Sequence, residues 1–214
     1  MPKPLLRGRF HAAAAVAALA LTIALGVRSR ADPPRLISML IFGLSMVELY
    51  SVSAIYHIGR WGPVVWRRLR ALDHANIFIL IAGTYTPLCF NVLSGWLRPA
   101  LLAVIWALAL AGAALATLTM RTPRWLSTAL YVGMGWVSLL ALPAFARELG
   151  WGAVALLLLG GGFYTAGAVV YARRRPDPFP RVLGFHEVFH LFVIAGGVAF
   201  AAAVWLWALP FPRV

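Results

Sequence analysis

Seven stretches of apolar, almost uncharged residues, each close to 20 residues long, divide this chain from end to end. A helix needs about 20 such residues to cross the roughly 30 Å hydrocarbon core of a bilayer. The stretches run Phe10 to Val27, Leu36 to Ile58, Ala75 to Leu93, Pro99 to Met120, Trp125 to Phe145, Trp151 to Tyr171 and Gly184 to Leu209, with short polar links between them. A soluble domain cannot hold this pattern. Of the 214 residues, 62% are hydrophobic and 12% charged, more apolar side chain than one core of this size can enclose. A membrane barrel is excluded as well, because its strands would be short and alternate apolar with polar residues, whereas these runs are continuous and rich in Ala and Leu. The expected fold is all-α: one polytopic membrane domain of seven transmembrane helices over residues 1–214, with no internal repeat.

Residues at the segment ends agree with these boundaries. Trp61, Trp66, Trp96, Trp125, Trp151, Trp205 and Trp207 fall near them, where an amphipathic indole prefers the headgroup layer, while Trp106 and Trp136 lie mid-segment. Gly160, Gly161 and Gly162 mark a place where helix backbones are expected to approach closely. The single cysteine, Cys89, permits neither an intramolecular disulfide nor a cysteine-based metal cluster. The net charge of +13 would suggest nucleic acid as the partner of a soluble protein. Here the arginines occupy the links, where they orient helices, so no nucleic-acid partner is expected.

The first segment follows Lys3, Arg7 and Arg9, as in a signal peptide, but its 18 residues exceed the usual apolar core of about 7 to 15, so a retained helix is expected. With seven spans, 13 of the 19 Lys and Arg residues fall on the side of the N-terminus: Lys3, Arg7, Arg9, Arg60, Arg67, Arg68, Arg70, Arg121, Arg124, Arg173, Arg174, Arg175 and Arg181. The positive-inside rule makes that side cytoplasmic and puts the C-terminus outside.

Ionisable groups at membrane depth cost about 2.5 to 3.5 kcal/mol each on insertion scales, so each one asks for a function. The set is Glu48, His57, Asp73, His74, His186, Glu187 and His190. In the derived topology the second helix ends at His57, the third begins at Asp73 and the seventh begins at His186 and His190, all at the cytoplasmic side. His186 and His190 are four residues apart, on one helix face, with a spacing that suits two imidazoles on one metal ion. His57 would complete three neutral nitrogens and leave a coordination position open, with Asp73 hydrogen-bonding a metal-bound water or a ligand. Ser53, one turn before His57, either orients a ligand or substrate group or returns its hydroxyl to a backbone carbonyl. Glu48 lies about 13 Å further along the same helix, too far to be a ligand, and reads as a buried, neutral acid or as part of a substrate cavity. His11 and His74 read as interfacial side chains.

Three motifs carry a family resemblance: SAIYH over 53–57, LDHANIFILIAGTYTP over 72–87 and FHEVFHLFVIAGG over 185–197. In this order and spacing they resemble the hemolysin III family and its wider relatives, the progestin and adipoQ receptors, which include the adiponectin receptors. The resemblance implies a seven-helix fold with a cytoplasmic N-terminus in a bacterial cell membrane. It also implies Zn2+ on His57, His186 and His190, Asp73 holding the zinc-bound water, and Ser53 in the same SxxxH motif. The receptors' long extramembrane N-terminal region has no counterpart, so a protein hormone is not expected as partner, and the family's name does not make the chain cytolytic.

The expected activity is zinc-assisted hydrolysis of a membrane lipid, of the amide class by resemblance to the wider family. Asp73 or Glu187 would accept the proton and Ser53 would hydrogen-bond the substrate. Membrane lipids are the expected partners. The alternative is a non-catalytic sensor of lipid state in which zinc ties the second and seventh helices together. His186 to His190 also spell HExxH, the helix signature of zinc proteases with Glu187 as general base. The histidine already at hand on the second helix argues against an intramembrane protease. A retinal photoreceptor needs a lysine on its last helix, and Lys3 is the only lysine.

Overall fold

The computed structural model describes residues 4–119 and 122–212. It is all-helical apart from an isolated bridge between Phe179 and Leu183, and seven of its spans are long and apolar enough to cross a membrane. They are α1 (Arg9–Ser29), α2 (Pro33–Ile58), α3 (Pro63–Val92), α4 (Leu97–Leu118), a fifth span made of α5 (Arg124–Trp136) and α6 (Leu142–Leu149), α7 (Trp151–Arg173) and α8 (Phe185–Ala203). A π-helical turn, Val204–Ala208, prolongs α8. The expected end of the fourth segment at Met120 lies outside the described residues.

Chain neighbours pack side by side: α1 on α2, α2 on α3, α3 on α4 and α7 on α8, with α1 also touching α8 to close the bundle. At the end opposite the N-terminus, Arg35 donates from Nη2 to the Phe211 carbonyl at 2.6 Å and also bonds the Leu209 carbonyl, tying the start of α2 to the end of the chain. Six spans separate these two points, an even number of crossings that brings them to the same side. Mid-membrane indoles find partners, as buried N–H groups must. Trp106 donates to Thr86 Oγ1 at 3.1 Å and Trp136 to Thr165 Oγ1 at 3.0 Å. Of the three consecutive glycines, Gly160 is the one pressed against a neighbour, the Phe200 ring, while Gly162 faces open space.

Two boundaries differ from the sequence expectation, each for a physical reason. Helix α3 starts at Pro63, ten residues before Asp73. Pro63, without an N–H to satisfy, stands at the helix start, and a polar overhang with Arg67, Arg68 and Arg70 follows. Apolarity marks only the part of a helix that lies in lipid, and at 1.5 Å per residue the 30-residue α3 is about 45 Å long. The fifth segment is interrupted: a 3₁₀ turn, Val137–Ala141, separates α5 from α6. Pro143, in the first turn of α6, cannot donate the next helical hydrogen bond. Tyr85 of α3 bridges the break, donating its hydroxyl to the Gly135 carbonyl at 2.6 Å and accepting from the Ser138 N–H at 2.6 Å.

Candidate metal centre

The last turn of α2, the interior of α3 and the first turns of α8 meet at the end of the bundle that carries most of the arginines. His57 and His190 are buried and His186 half-buried. The Nε2 atoms of His57 and His186 are 3.0 Å apart, and the three imidazoles each offer a ligand atom within 4.8 Å of the others. The i, i+4 spacing on α8 brings the His186 and His190 rings to 4.6 Å between centroids, and His57 of α2 stands 4.6 Å from His186 and 5.2 Å from His190. Tetrahedral bonds of about 2.0 to 2.1 Å put imidazole nitrogens roughly 3.3 Å apart, the same scale as this cluster. The donor set therefore fits one metal ion: three nitrogen ligands from two helices, with no fourth protein nitrogen required.

Asp73 Oδ2 lies 3.8 Å from His57 Nε2, beyond hydrogen-bond reach, so the carboxylate stands beside the three nitrogens without being bonded to the ring. Although α3 begins earlier than expected, Asp73 still sits at the depth of the histidines, eleven residues into the helix. Ser53, buried one turn before His57, is within hydrogen-bonding reach of the Asp73 carboxylate.

Glu187 is placed differently. It is fully buried, with Oε2 accepting from the Gly184 N–H at 2.8 Å, the glutamate's half of a capping box, and Oε1 paired with Arg7. Both oxygens are taken up by the start of α8 and the N-terminal segment. His74 is half-buried and donates from Nδ1 to the Arg70 carbonyl at 2.8 Å. Glu48, expected to be buried, stands on the exposed face of α2.

The sequence reading missed His11. Taken as interfacial, it is instead buried, 2% exposed, and its ring stacks on His190 at 3.8 Å and 12°. Its position was the available signal, since α1 starts on the side where the other histidines lie. A cavity of about 410 Å³ opens from this cluster into the bundle. Ser53, Asp73, His186 and His190 are among its polar lining residues, and Leu80, Ile81, Leu88, Phe145, Leu157 and Phe200 among the apolar ones that predominate. Such a cavity suits a ligand with a polar group at one end and a hydrocarbon body.

The chain is similar in sequence to several known proteins. The family described as "Haemolysin-III related" matches residues 1–201. The "Hemolysin-3 homolog" of Bacillus subtilis (strain 168) is 33% identical over 181 residues, covering 83% of this chain and 80% of that protein. The "Heptahelical transmembrane protein ADIPOR2" of Oryza sativa subsp. japonica is 31% identical over 188 residues, covering 77% and 79%. The human "Monocyte to macrophage differentiation factor" is more distant, 25% identical over 172 residues, covering 77% and 68%. Together with seven spans and a histidine cluster drawn from two helices, the match over residues 1–201 means that this chain belongs to the haemolysin-III-related family of heptahelical membrane proteins.

Proposed function

We propose that the chain is a zinc-dependent hydrolase acting on a membrane lipid, with an amide as the scissile bond. The observation that carries this reading is a group of three imidazoles with a carboxylate beside it, in which His186, His190 and the Asp73 carboxylate also line a largely apolar cavity. A structural site closes all four positions with protein ligands, whereas three protein ligands leave one for water and substrate. His57, His186 and His190 hold the ion. When bound, zinc supplies Lewis-acid polarisation of a carbonyl and acidifies water to a pKa of about 7. Asp73 takes the proton at Oδ2 and delivers it to the leaving nitrogen, the two halves of general acid–base catalysis. Ser53 holds that carboxylate in place. The apolar cavity wall binds the acyl chain and keeps bulk water from the polar end.

A second reading has its own observation. His57 stands on α2 and His186 and His190 on α8, so an ion on these three would tie the two helices together and serve a non-catalytic lipid sensor. The test compares Asp73→Asn with Glu187→Gln in purified protein with a lipid amide substrate. General acid–base groups contribute about 10² to 10⁴ in rate, so Asp73→Asn should keep its metal and lose at least about 100-fold in turnover. Glu187→Gln should retain turnover to the extent that α8 stays capped. Normal turnover by Asp73→Asn with a dead Glu187→Gln would transfer the base to Glu187. No turnover by the wild type across lipid amides would leave the sensor reading.

A further inference from the structure

We infer that the segment Pro4–His11 is a clamp on the metal centre, with Arg7, Gly8 and His11 as positioning residues that set how long the ion stays. The inference rests on the reading of the three histidines as a metal site and goes beyond it, because none of these residues is a ligand.

Four contacts carry it. The segment is fastened to the link before α8 by backbone bonds, Leu5 N–H to the Arg181 carbonyl at 3.0 Å and Leu6 N–H to the Val182 carbonyl at 3.2 Å. Arg7 then pairs with Glu187, which directly follows His186 in the chain and precedes His190 by three residues. Gly8 comes next, in the left-handed region at φ 78°, where its backbone lies flat on the last turn of α2; a Cβ here would stand 2.9 Å from His57 Cβ. Three residues on, His11 stacks on the His190 ring, and neither of its buried ring nitrogens has a hydrogen-bond partner. One short segment therefore touches all three ligands or their helices: His57 through Gly8, the His186 turn through Arg7 and Glu187, and His190 through His11.

The physical consequence is kinetic. A ligand ring with a neighbour on its face cannot swing out without unstacking, and the first turn of α8 cannot fray while Glu187 is held from both sides. Residues that orient metal ligands typically cost about 10- to 100-fold in affinity when removed. Any process that lifts the N-terminal segment would loosen all three ligands together.

The test uses the full chain, loaded with zinc in a neutral detergent, and follows zinc release into excess chelator. Arg7→Gln and His11→Ala should release zinc about tenfold faster than the wild type, while His11→Phe, which keeps the stacked ring, should stay within about twofold. Arg7→Lys should recover part of the loss, and Arg7→Gln combined with Glu187→Gln should cost little more than either alone, as expected of a coupled pair. Cobalt-loaded His11→Ala should show altered visible d–d bands, which a role confined to helix packing would not move. Release rates of folded Arg7→Gln and His11→Ala matching the wild type would overturn the clamp; if Arg7→Gln does not fold, the His11→Ala and His11→Phe pair decides. A wild-type protein that holds no zinc overturns the metal centre itself, an outcome distinct from unchanged release rates.

Discussion

Three imidazoles on two helices are readable from a sequence because each property that places them is local. His186 and His190 share a face by their spacing, and His57 joins them because the second span ends on the side where the seventh begins. Glu187 was not readable in the same way. HExxH spacing says only that a glutamate follows the first histidine. The same residue stands three positions after Gly184, where a capping box wants a carboxylate, and the structure uses it there. His11 escaped notice because a lone histidine near a helix end ordinarily lies in the headgroup layer, and it is buried here by packing against Tyr50 of α2 and His190 of α8. If the three imidazoles are the ligands, each supplies about a third of the protein's bonds to the ion. Alanine at His57, His186 or His190 should each reduce zinc from about one per chain to a small fraction, measured by elemental analysis after gel filtration. Wild-type content in all three variants would dismiss the site.

At the scale of helices, apolar runs report where lipid is and not where helices begin or break. The polar overhang of α3 shows the first limit, and the interrupted fifth span shows the second. Pro143 was visible in the sequence, but a proline alone does not say whether a membrane helix bends or stops. What decides is whether another residue can satisfy the freed backbone, and here that residue is Tyr85 on a helix some fifty positions earlier. In lipid there is no water to take its place. Tyr85→Phe keeps the ring but removes the hydroxyl that bonds the Gly135 carbonyl and the Ser138 N–H. Ser138 Oγ also bonds that carbonyl, at 3.1 Å, so the N–H is the group left worse off. An unsatisfied buried donor costs about 1 to 3 kcal/mol, and the denaturation midpoint in mixed detergent should fall accordingly. A midpoint equal to the wild type would mean that the break does not depend on Tyr85.

For the whole molecule, the seven crossings and the pairing of ends follow from the sequence because both rest on sums over many residues, which single errors of boundary do not upset. Shifting the start of α3 by a dozen residues changes neither the parity of crossings nor the side on which His57 lies. The structure places the N-terminal segment, the end of α2 and the α7–α8 link together at one end, joined by Leu5, Leu6 and Gly8, and the start of α2 with residues 209–211 at the other, joined by Arg35. Which end faces the cytoplasm is a separate matter, decided by electrostatics during insertion. The 13 to 6 division of Lys and Arg predicts that the N-terminus, and with it the histidine cluster, faces the cytoplasm. The links are short, the condition under which this bias is effective. A reporter that is active only in the cytoplasm should therefore work when fused before Met1 and fail when fused after Val214, with the reverse result for a reporter active only outside. Activity of the cytoplasmic reporter at Val214 alone would invert the assignment, place the metal centre on the outer side and make zinc supply and substrate access extracytoplasmic.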